Sequence, residues 1–217
     1  MIRGVIFDFD GTLTELTLNF DYLKTEIANI ARKYVTEEEI KAFEGYFIIE
    51  MIYEIEKKPG KGNTNFRHEA FERLRVLELE AAEGKDVYPY TRGVLQHLRG
   101  KGIKVGIITR SCLDVLKKVF PDMDTYVDGI VTREDIQYVK PDPSHVVETL
   151  RVLNILPEEA LLVGDHPIDI MAGKALVIQT VGVLTGRTKK EDFQKAEATH
   201  ILQDIRGIPD LLWAGKY

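Results

Sequence analysis

Val5-Ile6-Phe7-Asp8-Phe9-Asp10-Gly11-Thr12-Leu13 is the stretch that decides the fold. Its apolar run Val5-Ile6-Phe7 reads as a buried strand that ends abruptly at Asp8. Asp10 follows at a spacing of two, and Gly11 accepts backbone angles closed to residues with a Cβ. Two carboxylates at the end of a core strand can hold a hard cation together, or divide the roles of nucleophile and acid/base. Such a pair needs partners from elsewhere in the chain.

After Leu13 the texture changes. Asn19 is a suitable cap for a helix whose apolar residues Phe20, Leu23, Ile27, Ile30, Ala31 and Tyr34 recur at helical spacing. Thr36-Glu37-Glu38-Glu39 has the form of a capping box, and the spacing beyond it predicts a single helix from Ile40 to Ile55. Tyr46, Ile49 and Tyr53 add apolar surface outside that helix's stripe, which predicts cover on two sides. The basic, turn-forming stretch from Lys57 to Asn65 reads as a loop. A third helix is predicted from Phe66 to Ala82, with Gly84 to end it.

From Val87 the pattern becomes strand alternating with helix, the signature of βαβ units and a parallel sheet. Strands are predicted from Ile103 to Ile108, Asp128 to Val131, Ala160 to Gly164, Val177 to Val183 and Thr199 to Leu202. Ser111 and Ser144 are candidate helix caps, and Asp169 is read as opening another helix. The expected fold class is α/β: a Rossmann-like parallel sheet core from residues 1–14 and 86–217, carrying an inserted all-helical cap at residues 15–85. Sites in parallel sheets lie beyond the carboxyl ends of the strands. Asp8, Asp10, Thr109, Lys140 and Asp165 all fall in that position.

Those residue types suit a phosphoryl group, whose negative oxygens must be neutralised before a carboxylate can attack. A Mg²⁺ ion held by Asp8, Asp165 and a backbone carbonyl near Asp10 would bridge protein and phosphate. Lys140 adds a point charge, and the Thr109 hydroxyl with backbone amides around Gly11 can hold a phosphate oxygen. Asp8 can then form an aspartyl-phosphate while Asp10 protonates the leaving alcohol. Two residues keep two readings each. Asp169 is either a helix cap or a support for the metal, and Arg110 is either a surface arginine or a phosphate contact.

Asp8-Phe9-Asp10-Gly11-Thr12-Leu13, then Thr109, Lys140-Pro141 and Gly164-Asp165-His166-Pro167-Ile168-Asp169, resemble the four motifs of the haloacid dehalogenase-like hydrolase superfamily. The insert after the first motif resembles that superfamily's small helical cap, as in phosphoglycolate phosphatases. The resemblance implies Mg²⁺ dependence, Asp8 as nucleophile, Asp10 as acid/base, Thr109 and Lys140 as phosphate contacts, Asp165 as metal ligand and Asp169 as its support. The dehalogenase branch lacks an acid at the second position, so Asp10 points to phosphoryl transfer. Arg110 stands where many phosphoglycolate-type relatives carry Asn. The expected activity is hydrolysis of a small phosphorylated metabolite. A phosphomutase uses the same residues and is the alternative, and a receiver-like phosphoaspartate signalling domain comes third.

The net charge of -6 offers no basic stripe for nucleic acid. The lone Cys112 allows no intrachain disulfide, and the most apolar window, Tyr46 to Tyr53, is too short to span a bilayer. No signal peptide is read at Met1-Ile2-Arg3, so a cytoplasmic protein, monomeric by default, is expected.

Overall fold

A computed structural model describes residues 1–58 and 63–213. The chain divides into two compact units, one of residues 1–16 and 84–217 and the other of residues 17–83.

The first unit is built on a six-stranded sheet. Its strands are β1 (Gly4–Phe7), β2 (Lys104–Ile108), β3 (Gly129–Val131), β4 (Ala160–Gly164), β5 (Gln179–Val183) and β6 (His200–Leu202). All pair in parallel, in the order β3-β2-β1-β4-β5-β6. The α/β expectation therefore holds, and so does the short apolar run at its centre. All four residues of β1 are buried, as a strand covered on both faces requires. Ile6 and Ile108 face a core with Val146, Leu150 and Leu153 of α7 (Pro143–Leu153) and Ala172 of α8 (Pro167–Lys174). Gly106 lets α7 come close, because a Cβ there would press on the Leu153 side chain.

The strand order reverses between β1 and β4, which is where ligands bind in open sheets of this kind. In register, Phe7 stands opposite both Ile107 and Val163. The chain therefore leaves β1 at Asp8, β2 at Thr109 and β4 at Asp165 along one edge.

The second unit is all helical: α1 (Phe20–Ala31), α2 (Glu37–Lys41), α3 (Ile48–Glu56) and α4 (Asn63–Ala81). Asn19 caps α1 by accepting from the Tyr22 N–H, and Thr36 with Glu39 closes the expected capping box on α2. The single helix predicted from Ile40 to Ile55 is instead two. Gly45 lies in the break, where helix costs about 1 kcal/mol relative to alanine. The Lys24 ammonium donates to the carbonyls of Glu44 and Tyr46, satisfying groups that the broken ladder leaves open. α3 buries Ile49, Met51, Ile52, Tyr53 and Ile55, whereas Tyr46, outside any helix, is exposed. α4 starts at Asn63, earlier than predicted, and Pro59 to Gly62 of the expected basic loop lie outside the described residues.

Two caps in the first unit also differ from expectation. Asp142, not Ser144, caps α7, because Pro143 fills the first helical position and the Ser144 N–H reaches back to the Asp142 carboxylate. Cys112, not Ser111, precedes α6 (Leu113–Val119), and it is buried.

Candidate active site

Asp8 follows β1 directly, and its N–H still pairs with the Val163 carbonyl at 2.8 Å. Its carboxylate is thus held at the reversal point by the sheet itself. Lys140 arrives from the loop before α7. Its ammonium lies 2.6 Å from Asp8 Oδ1 and 2.5 Å from Asp169 Oδ1, and it is fully buried. Asp165 follows β4, with only 4% of its surface exposed. Asp8, Asp165 and Asp169 can each offer an oxygen within 4.8 Å of the others.

Burial pushes the Asp8 carboxyl up to about 6, against the opposing pull of Lys140. Burial again, with the charges of Asp8 and Asp169, pushes Asp165 up to about 9. Lys140 is drawn down by its own burial, but Asp169 and Asp8 more than offset this and raise it. The Lys140 ammonium offsets one of the three carboxylate charges. The remaining buried negative charge and the all-oxygen donor set suit a small hard dication such as Mg²⁺.

Glycines make room for this cluster. A Cβ at Gly11 or at Gly186 would fall on the Asp165 carboxylate, and one at Gly164 would fall on Asp169. Gly11 also has a φ of 89°, which an L side chain adopts only under strain. Thr185 Oγ1 donates to the Gly11 carbonyl at 2.5 Å, tying the turn after β5 to the turn after β1.

Asp169 has two jobs at once. It sits at the third position of α8, where Oδ2 accepts the His166 N–H at 3.1 Å, while Oδ1 holds Lys140. His166 is the N-cap, so α8 opens earlier than the expected Asp169. Thr109 is buried beside Asp8's strand, and its hydroxyl oxygen accepts the Ser111 N–H at 3.0 Å. Arg110 turns to the Lys140 carbonyl, and Arg133 donates to the Arg110 carbonyl at 3.2 Å.

Asp10 sits apart from the cluster's lysine and has its own partners. Ser111 Oγ donates to Asp10 Oδ2 at 2.7 Å, and Lys85 Nζ lies 3.3 Å from Asp10 Oδ1. Neither partner was read from the sequence, and neither was His145. The His145 ring is buried, accepts the Lys140 N–H on Nδ1 at 3.2 Å and faces the Val131 carbonyl through Nε2 at 3.2 Å. Two acceptor and donor contacts of that kind require the neutral ring. Burial, followed by the Lys140 charge, pushes it down to about 3.

A fold of this topology, with three polar strand ends and a buried lysine at one sheet edge, invites comparison with known proteins. Residues 5–183 match the family model described as haloacid dehalogenase-like hydrolase. The chain belongs to that family. It is accordingly an enzyme of that hydrolase family. Pyrophosphatase PpaX of Bacillus cereus is 32% identical over 205 residues, spanning 89% of each chain. The protein of the same name from Bacillus anthracis is 31% identical over 217 residues, 93% of this chain and 95% of that one. Among solved structures, a hydrolase from Pseudomonas syringae superposes with a TM-score of 0.72 at 21% identity, covering 96% of this chain and 97% of that one. β-Phosphoglucomutase from Clostridium difficile does so with a TM-score of 0.67 at 19% identity, covering 96% and 93%. Both share the fold with this haloacid dehalogenase-like hydrolase. No described helix is long and apolar enough to cross a membrane.

Proposed function

We propose that this hydrolase is a Mg²⁺-dependent phosphatase of small phosphate esters, working through an aspartyl-phosphate on Asp8. The observation that carries the reading is the Lys140 ammonium shared between Asp8 and Asp169 beside a buried third carboxylate, Asp165. Asp8 and Asp165, with Asp169 as support, would hold the metal, together with the Asp10 backbone carbonyl. When bound, Mg²⁺ neutralises phosphoryl oxygens and so lets an anionic nucleophile approach.

The chain's own residues then divide the work. An Asp8 oxygen bonds to phosphorus as the bond from phosphorus to the ester oxygen breaks. The electron pair stays on that ester oxygen, which takes a proton from Asp10. Water next bonds to phosphorus, the pair of the acyl-phosphate bond returns to Asp8, and Asp10 accepts the water proton. Lys140 favours the ionised form of Asp8 against the effect of burial, and its hydrogen bond orients the carboxylate. The Thr109 hydroxyl, the Gly11 turn and Arg110 are the proposed phosphate contacts, and residues 17–83 the proposed cap. Membership of a hydrolase family supports water over a sugar hydroxyl as the final acceptor. The pyrophosphatase relatives support extending the substrate class to a small phosphoanhydride, which the same attack would cleave.

Asp8→Asn tests the reading. The variant is expected to unfold cooperatively, like the parent, and to release no phosphate from p-nitrophenyl phosphate. Parent-like turnover by that variant would refute the assignment.

A further inference from the structure

Asp10 is held by both of its oxygens, and one of the holders comes from the far side of the helical insert in sequence. The backbone shows why. The turn after β1 is stitched to the segment that returns from the insert: the Tyr88 N–H donates to the Leu13 carbonyl at 2.9 Å. Thr14 Oγ1 donates to the Asp86 carbonyl, and Thr91 Oγ1 to the Leu13 carbonyl, both at 2.8 Å. Thr14 also bridges to Asp10 on one side and to Val87 on the other. These bonds fix the backbone of Lys85 beside Asp10, and the Lys85 side chain, with 8% of its surface exposed, ends at Asp10 Oδ1.

The two holders differ chemically. An ammonium has donors and no lone pair, so the oxygen it faces cannot direct a proton at it. A serine hydroxyl both donates and accepts and can turn, so Oδ2 can gain a proton and direct it at the leaving oxygen without facing a fixed positive charge. We propose that Lys85 is a positioning residue for Asp10: it claims Oδ1 and thereby leaves Oδ2, beside Ser111, as the oxygen that carries the transferred proton. The inference rests on the assignment of Asp8 and Asp10 made above. Lys85 itself touches neither phosphate nor leaving group in this account.

The test compares two esters by kcat/KM, which reports the step that phosphorylates Asp8. A positioning residue for proton delivery matters where the leaving oxygen is a strong base and little where it leaves unaided. Lys85→Met should therefore lower kcat/KM for glycerol 2-phosphate about 10- to 100-fold, a part of the roughly 10²- to 10⁴-fold that general acid catalysis supplies. The loss with p-nitrophenyl phosphate should be at least about tenfold smaller on the same scale. Lys85→Arg, also a pure donor, should restore most of the glycerol 2-phosphate activity. Equal losses on both esters, or no loss on either, would overturn the role of Lys85. A melting temperature measured for each variant identifies one that has merely lost its fold, and Lys85→Arg then carries the comparison, with an unchanged ester ratio expected. A changed ratio in a folded Lys85→Arg would overturn the donor argument. Retained activity in Asp8→Asn would instead sink the underlying assignment, whatever Lys85 does.

Discussion

Lys140 Nζ lies 2.6 Å from Asp8 Oδ1 although the two residues stand 132 positions apart in sequence. The ion pair is nearly without solvent, and its second branch to Asp169 is buried as well. Removing one member of such a buried set leaves uncompensated charge behind. Lys140→Met should therefore destabilise the metal-free protein by about 3–5 kcal/mol. Urea unfolding in a chelator measures it, and a change within about 0.5 kcal/mol, typical of a surface site, would show that the pair is not load-carrying in the fold.

Asp165 gives the opposite sign in the metal-free protein. Its carboxyl is buried among Asp8 and Asp169 and is pushed up by that burial, so an uncharged amide relieves the site. Asp165→Asn should melt at or above the parent's temperature in chelator. The parent should gain about 2.7 kcal/mol when Mg²⁺ is present at a hundred times its dissociation constant, and the variant should gain almost none. An equal Mg²⁺ response in both proteins would remove Asp165 from the metal site.

The way in which these residues became visible differs from one to the next. Asp8 and Asp165 announce themselves because an apolar strand ends on each, and parallel pairing puts strand ends on one edge. Lys140 needed the company of the others, since a lysine before a proline is ordinary by itself. Lys85 and His145 gave no local signal. Lys85 reaches Asp10 only because hydrogen bonds sew residues 86–91 to the turn after β1, and such stitching has no period in sequence. The need of Gly186 for space against Asp165 likewise depends on a neighbour brought in by the fold. The helix predicted from Ile40 to Ile55 failed for a related reason. Apolar spacing ran through Gly45, while the carbonyls freed by the break found Lys24 from another helix.

His145 makes acid stability a test of the loop that presents Lys140. Its folded-state value of about 3 lies below the ordinary histidine value of 6.5, so the folded protein prefers the neutral ring. Its contribution is therefore present above pH 6.5 and is lost as the pH falls toward 3. By linkage, about 2 kcal/mol should be gone by pH 5. His145→Gln should be less stable than the parent at pH 7.5, and the gap should narrow by about that amount at pH 5. Parallel stability curves for the two proteins between those pH values would contradict the buried neutral ring.

The central claim is that Asp8 is the nucleophile, and it is tested most directly by trapping the covalent intermediate. Turnover of a small phosphate ester with Mg²⁺ is stopped in acid, where acyl phosphates persist, and the digested protein is read by mass spectrometry. The expected result is one added phosphoryl group on the peptide containing Asp8, absent without Mg²⁺ and absent in Asp8→Asn. Steady turnover with no label on that peptide, or with the label on another residue, would contradict the account.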